Sequence, residues 1–243
     1  MSTIRNNVLI LAGGLGTRLQ TVVSDRPKVL VPVLGRTFLD FLVFQLHEQG
    51  LRHIVFLLGY RHKMVEAHIQ TVLATRFPDM DFAVSVENSP LGTAGALRMA
   101  RAFCNDTFLV INGDTYVEFD AKSLIRTHHK TSALITMLAL KVDDAGRYGS
   151  LDMDSDGRIH AFREKEAVQT PGLINAGIYA MEPGILESIP DNSVLSLEHT
   201  LLPMLLKQGE HLQALQTNGH FFDIGTPESY AEFVNFVQQS QMA

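Results

Sequence analysis

The feature that most limits how this 243-residue chain can fold is the alternation of short apolar runs with helical segments through its first half. The apolar run Val8–Leu11 stops at Gly13-Gly14. Phe38, Phe41, Leu42, Gln45 and Leu46 then fall at helical spacing, with Thr37 placed to cap the helix and Gly50 to end it. Ile54–Leu58 is a second apolar run, Met64–Leu73 a second helix and Phe82–Val86 an alternating strand. An alanine-rich helix over Thr93–Phe103 and a fourth strand over Phe108–Ile111 follow. This order predicts an α/β fold, a three-layer sandwich whose mostly parallel sheet is covered by helices on both faces. Ligands of such sheets bind beyond the carboxyl ends of the strands. Gly13, Glu87 and Asp114 all stand at such ends, so three positions point to one crevice.

The second half reads differently. Ser150–Met153 and Ile159–Phe162 flank Asp154-Ser155-Asp156-Gly157 as a hairpin, and Leu173–Met181 is a further strand, so the sheet is mixed. Leu197–Leu206 reads as helical. A closing helix runs from Pro227 towards Gln238, with Thr226 as its cap and Pro227 in its first turn. Its apolar residues Tyr230, Phe233, Val234, Phe236 and Val237 read as core, which leaves a homo-oligomer open. His128-His129 are expected to end a helix, where imidazolium complements the dipole. No linker, repeat or low-complexity tract interrupts the chain, so residues 1–243 are expected to form a single domain.

Composition narrows the function. Hydrophobic content of 46% and charged content of 19% are those of a globular protein. No apolar run reaches the length of a membrane span, and the polar start MSTIRNN lacks a signal-peptide core, so no membrane association is expected. A single cysteine, Cys104, excludes an intramolecular disulfide and points to a reducing cytoplasm. A net charge of −6 argues against a nucleic-acid partner, so an anionic substrate has to be drawn in by local positive charge. None of the ten histidines has a zinc-like spacing.

The local charge lies in the segment LAGGLGTRLQTVVSDRPK, from Leu11 to Lys28. A strand ending in Gly13, Gly14 and Gly16 exposes several backbone N–H groups, and Arg18 and Lys28 stand close by, a combination suited to a polyphosphate. It is not a P-loop, because no Lys-Ser or Lys-Thr follows the glycines, nor a complete dinucleotide fingerprint, because Leu19 occupies the third glycine position. The HRD and DFG segments of a protein kinase are also missing.

The segment resembles the signature of the sugar-1-phosphate nucleotidyltransferases, and the resemblance extends over nearly the whole chain. Pro90-Leu91-Gly92-Thr93-Ala94-Gly95, Asn112-Gly113-Asp114, Glu164-Lys165, Asn175-Ala176-Gly177-Ile178-Tyr179 and Asp223-Ile224-Gly225-Thr226-Pro227 match in order. It implies a Rossmann-like fold of the nucleotide-diphospho-sugar transferase type, with a nucleotide-binding half over 1–118 and a sugar-binding half over 119–243. The implied reaction joins a nucleoside triphosphate to a sugar 1-phosphate with release of pyrophosphate and uses Mg²⁺. Asp114 and Asp223 would hold the metal, although an aspartate after an apolar strand also serves as a turn or helix cap.

By the same resemblance Arg18 contacts the triphosphate and the leaving pyrophosphate, and Lys28 the phosphates. Glu164 and Lys165 hold the sugar hydroxyls and the sugar phosphate, with Asn175 and Gly149 as further sugar contacts. Leu11, Ala12, Gly13, Gly14, Gly16, Thr17, Thr93, Asn112 and Gly113 fall in the nucleotide-binding segments, and Gly92 aligns with a glycine whose backbone meets the base. Glu87 aligns with the position that reads the base edge. A carboxylate offers only acceptors. Guanine presents two adjacent donors, N1–H and N2–H₂, which makes GTP the best nucleotide if Glu87 faces the base; the alternative is a strand-end glutamate in water.

Within the family, Ser24–Gly50 and the short length are most similar to guanylyltransferases of D-glycero-α-D-manno-heptose 1-phosphate, whose product feeds bacterial capsule, surface-layer or lipopolysaccharide synthesis. Mannose 1-phosphate members usually carry a C-terminal β-helix domain, for which this chain has no room. Val29-Leu30 departs from the family pattern, where a proline usually follows the lysine. Alternatives are a uridylyl- or thymidylyltransferase of the same fold, a non-catalytic regulatory subunit, which would be expected to lose Arg18, Lys28 or an aspartate, and a glycosyltransferase using Asp152-Met153-Asp154.

Overall fold

The computed structural model describes residues 6–14, 25–163 and 170–240, apart from the side chain of Arg147. Strand β1 (Val8–Leu11) comes first. A 3-10 turn (Lys28–Leu30) leads to the two-residue strands β2 (Pro32–Val33) and β3 (Arg36–Thr37). Helix α1 (Phe38–Glu48), strand β4 (His53–Leu58), helices α2 (His62–His68) and α3 (Ala74–Arg76) and strand β5 (Asp81–Val86) follow. Next come α4 (Gly92–Met99), β6 (Phe108–Asn112), β7 (Thr115–Val117), α5 (Ala121–Thr131) and β8 (Ile135–Val142). The hairpin β9 (Ser150–Met153) and β10 (Ile159–Arg163) precedes the long strand β11 (Gly172–Met181). The described chain closes with α6 (Leu202–Lys207), β12 (Leu212–Thr217), β13 (Phe221–Asp223) and α7 (Pro227–Gln239).

Seven strands form a mixed sheet in the order β12-β8-β11-β6-β1-β4-β5. Strand β4 is parallel to both β1 and β5, β12 is parallel to β8, and β11 is antiparallel to β6 and β8. The alternation in the first half thus yields the α/β sheet it predicts. Strands β8 and β12 were not expected. The helix expected over Met64–Leu73 begins at His62 and continues through a π turn (Ile69–Leu73) into α3. Among the described residues no helix is long and apolar enough to cross a membrane.

Contacts divide the chain into two compact units, which are interleaved along the sequence. Unit 1 takes Met1–Pro90, Asn112–Tyr116 and Phe221–Ala243. Its core joins the fully buried Val8, Leu9 and Ile10 of β1 to Phe38 and Phe41 of α1. Phe233 of α7 sits among Phe38, Phe41, Tyr116 and Phe222, with ring centroids 4.9, 5.7, 5.2 and 5.5 Å away. The edge-to-face contacts with Phe38, Phe41 and Phe222 are the arrangement ring quadrupoles favour. This cluster fixes α7 and, through Phe222, the strand that ends at Asp223.

Helix α1 starts in a capping box. Thr37 Oγ1 accepts from the Asp40 amide, and Asp40 Oδ2 accepts from the Thr37 amide at 2.7 Å. The buried Asp40 carboxylate also meets His68 and Arg76, each at 3.3 Å. Burial pushes its pKa up, but the hydrogen bonds from His68 and Thr37 outweigh that and hold it below the usual carboxylate value.

Unit 2 takes Leu91–Ile111 and Val117–His220. Its longest strand, β11, carries a register shift between Asn175 and Tyr179, where Gly177 adopts φ +74°. Such bulges re-aim side chains. Asp120 caps α5, and His128 lies in the last turn as expected. It is buried, and that burial lowers its pKa against the opposing pull of Glu182. Its Nε2 lies 3.0 Å from Glu182 Oε1 and its Nδ1 2.9 Å from Thr136 Oγ1.

Candidate active site

Three charged side chains meet in unit 1. Strand β6 ends at Asn112, and Gly113 turns the chain so that its N–H donates to the Leu11 carbonyl at 2.9 Å. A Cβ on Gly113 would stand 2.5 Å from that oxygen, so only glycine lets the turn press against β1. Asp114 follows directly. Its carbonyl accepts from the Ile224 amide at 3.0 Å, which ties it to the residue after Asp223. Asp223 ends β13, and its Oδ1 accepts from the Gly225 amide at 2.8 Å, so it also shapes the turn into α7.

Lys28 opens the 3-10 turn after Pro27. Its Nζ lies 2.8 Å from Asp114 Oδ2 and 3.6 Å from Asp223 Oδ1. The two carboxylates therefore converge on a position where a cation already sits. Among the described residues no group of three or more His, Cys, Asp or Glu converges as a ready-made metal cage. Two hard carboxylates, both partly exposed, match the way Mg²⁺ is held, through one or two carboxylates plus substrate phosphates.

A second feature of unit 1 is built from glycines. The Glu87 amide donates to the Leu58 carbonyl at 2.9 Å, and the side chain turns back over the ends of β1 and β4. A Cβ at Gly13 would stand 3.1 Å from Glu87 Oε1, and one at Gly59 only 2.6 Å from it. Glu87 thus rests on two positions that have to lack a side chain. Gly13 was expected at the site and Gly59 was not, although its place at the end of the apolar run of β4 repeats the pattern of Gly13 after β1. Among the described residues no heavy atom lies within 4 Å of a Cβ built at Gly14. Leu11 and Ala12 use backbone groups inside the fold, Leu11 O with Gly113 and Ala12 N with Leu57 O at 2.9 Å.

The remaining expected residues lie in unit 2. Gly92 has φ +71°, and a Cβ there would stand 2.5 Å from the Leu195 carbonyl. Thr93 is engaged inside the unit, donating to Glu198 Oε2 at 3.1 Å and accepting from the Leu197 amide at 2.7 Å. Asn175 donates to Tyr179 Oη at 2.7 Å. Gly149 ends a separate turn, with φ +82° and its amide on Ala145 O at 3.0 Å. Sequence reasoning missed Tyr179 and Glu198, which link Asn175 to Thr93. Asp152 pairs with Arg163 at 2.6 Å, and Asp154 Oδ1 closes the hairpin turn by accepting from the Asp156 and Arg158 amides. Both therefore have structural partners. Gly16, Thr17, Arg18, Glu164 and Lys165 lie outside the described residues.

A lysine facing two carboxylates, one of them just past a strand of an α/β sheet, suits the handling of phosphate groups, and residues 7–240 match the nucleotidyl transferase family, to which the chain belongs. It is similar to the D-glycero-alpha-D-manno-heptose 1-phosphate guanylyltransferase of Aneurinibacillus thermoaerophilus, 32% identical over 91% of this chain and 94% of that protein. Its fold matches the crystal structure of HddC from Yersinia pseudotuberculosis with a TM-score of 0.83, at 36% identity over 95% of this chain and 98% of that one. A second structure of HddC, complexed with GMP-PN, matches with a TM-score of 0.82.

Proposed function

We propose that this protein transfers GMP from GTP to a sugar 1-phosphate, namely D-glycero-α-D-manno-heptose 1-phosphate, releasing pyrophosphate and forming a GDP-heptose. The observation that carries the proposal is the convergence of Lys28, Asp114 and Asp223 in a member of the nucleotidyl transferase family. The names of the similar proteins support the base and the sugar. The whole chain would act as one nucleotidyltransferase domain, alone or as a homo-oligomer, in a bacterial cytoplasm. Its product would feed capsule, surface-layer or lipopolysaccharide synthesis.

In this reaction a phosphate oxygen of the sugar 1-phosphate attacks the α-phosphorus, and the bond to the bridging oxygen of the pyrophosphate breaks. Nucleophile and leaving group are both anionic at neutral pH. Catalysis therefore rests on in-line positioning and charge neutralisation, without a covalent intermediate. Lys28 places a fixed positive charge against the phosphates, and Arg18 holds the triphosphate and the departing pyrophosphate. Asp114 and Asp223 would hold Mg²⁺, which when bound supplies further neutralisation of phosphate charge. Leu11, Ala12, Gly13, Gly14, Gly16 and Thr17, with Gly92, Thr93, Asn112 and Gly113, would hold the nucleotide. Glu164, Lys165, Asn175 and Gly149 would hold the sugar phosphate.

Glu87 accounts for the base. Its acceptor-only carboxylate matches the adjacent N1–H and N2–H₂ donors of guanine. Adenine offers one donor beside an acceptor, and uracil or thymine a single N–H between two carbonyls. Crossing GTP, ATP, UTP and dTTP with heptose, mannose, glucose and N-acetylhexosamine 1-phosphates in the presence of Mg²⁺, and reading pyrophosphate release, tests the proposal. Release with GTP and the heptose phosphate is expected. Release with UTP or dTTP instead would refute the base assignment, and no release with any pair would refute the activity.

A further inference from the structure

Glu198 opens the segment after Ser196 and receives hydroxyl groups from two distant parts of unit 2. Thr93 Oγ1 of helix α4 donates to Oε2 at 3.1 Å, and Tyr179 Oη of strand β11 donates towards Oε1 at 3.5 Å. Ser196 Oγ adds a third donor at 3.4 Å. An ionised carboxylate only accepts, so the Tyr179 hydroxyl hydrogen is directed at Glu198. The Tyr179 oxygen is then left as an acceptor, and it takes the Asn175 amide hydrogen at 2.7 Å. At its other end, Asn175 Oδ1 accepts from the Gly177 amide in the bulge at 3.1 Å. These contacts run in one direction from Glu198 to Gly177, and Tyr179 among them is fully buried.

We propose that Glu198 is a positioning residue for sugar selection: acting through Tyr179, it fixes which end of the Asn175 amide faces which way, and through Thr93 it sets the start of α4 against the same strand. The proposal rests on the reading of Asn175 as a sugar contact. A side-chain amide has two donor hydrogens and two acceptor lone pairs. Here one of each is engaged, so a ligand meets one N–H and one lone pair in a fixed arrangement. Replacing Glu198 by Gln lets the side chain donate as well as accept. The Tyr179 hydroxyl can then point back at Asn175, and the amide loses one of the two constraints that set it.

The test measures KM for GTP, KM for D-glycero-α-D-manno-heptose 1-phosphate and kcat in Asn175→Ala, Glu198→Gln, Tyr179→Phe and the Glu198→Gln/Tyr179→Phe double variant, with melting temperature as a control. Glu198→Gln and Tyr179→Phe are each expected to raise the sugar-phosphate KM roughly five- to tenfold, the worth of about one hydrogen bond, with the GTP KM nearly unchanged. The double variant is expected to be no worse than either single one, because both cut the same chain. Asn175→Ala sets the reference. If it raises the sugar KM while Glu198→Gln and Tyr179→Phe do not, the positioning role is refuted and the sugar contact stands. If Asn175→Ala leaves the sugar KM unchanged, both fall. Equal rises in both KM values with a lower melting temperature would show Glu198 to be structural only.

Discussion

Lys28 and Asp114 are joined by 2.8 Å between Nζ and Oδ2, and the lysine is the more buried partner, with 10% of its side chain exposed against 41% for the aspartate. The cation lies beneath and the carboxylate faces outward. Asp223, 26% exposed and 3.6 Å from the same ammonium, completes the arrangement. A charge held that deep requires compensation, so the lysine keeps both carboxylates aimed at one point before any substrate binds. Phosphates arriving there meet a positive charge that needs no rearrangement.

Asp114→Asn keeps the shape of the side chain and removes its charge. Turnover in the presence of Mg²⁺ is expected to fall by at least about a hundredfold. The unfolding midpoint is expected to fall modestly: Lys28 loses its nearer carboxylate, while Asp223 still faces it and the backbone contact of Asp114 with Ile224 remains. Pyrophosphate release titrated with Mg²⁺, beside a thermal melt, checks this. Near-normal turnover would remove Asp114 from metal binding.

Base selection is expected to depend on Glu87 and, through it, on Gly59. Glu87→Gln should lower the ratio of kcat/KM for GTP over UTP by roughly tenfold, because an amide no longer offers two acceptors to guanine. Gly59→Ala should shift the ratio in the same direction by steric means, since its Cβ would stand 2.6 Å from Glu87 Oε1. A ratio unmoved by Glu87→Gln would take Glu87 out of base recognition.

Phe233→Ala is expected to cost about 3–5 kcal/mol of stability, the range for deleting a fully buried phenylalanine. The loss should reach activity before it reaches secondary structure, because Phe222, next to Asp223, packs on the Phe233 ring. Urea unfolding gives the first quantity. The Mg²⁺ concentration for half-maximal turnover gives the second and is expected to rise.

His128 makes stability depend on pH in a stated direction. Its pKa is lowered in the fold by burial, so below its ordinary value of about 6.5 the unfolded chain binds more protons than the native one. Its contribution is fully present above that value and is lost as pH falls towards the lowered native pKa. Melting temperatures from pH 7.5 to 5 are expected to drop more steeply for the parent protein than for His128→Gln. Parallel curves would show that burial of His128 carries no such linkage.

The strands that position the site were readable where an apolar run ends in a glycine or an acid. Val8–Leu11, Ile54–Leu58 and Phe108–Ile111 all end this way, and the structure places β1, β4 and β6 there. Strand β8 escaped notice because its buried run Ile135–Leu140 does not alternate, mixes in Met, Leu and Ala, which suit a buried helix equally well, and has no glycine or acid at its end. The position of His128 at a helix end is visible in sequence, and its burial is not. Glu198 lies in a run with helical spacing, where a carboxylate reads as solvent-facing. Its partner Thr93 lies 105 residues earlier, a separation no local pattern can bridge.

Unit 1 is assembled from the first ninety residues, a five-residue insertion and the last stretch of the chain. On the ribosome, Lys28 and Asp114 emerge well before Asp223. Until Phe221–Gln239 has left the exit tunnel, the aromatic seat made by Phe38, Phe41 and Tyr116 has no Phe233 to cover it. Once Tyr116 has emerged, the nascent chain is expected to carry an open apolar hollow and an unfinished pair of carboxylates until the last stretch follows. Arrival of β13 and α7 together closes the hollow and completes the pair in the same event.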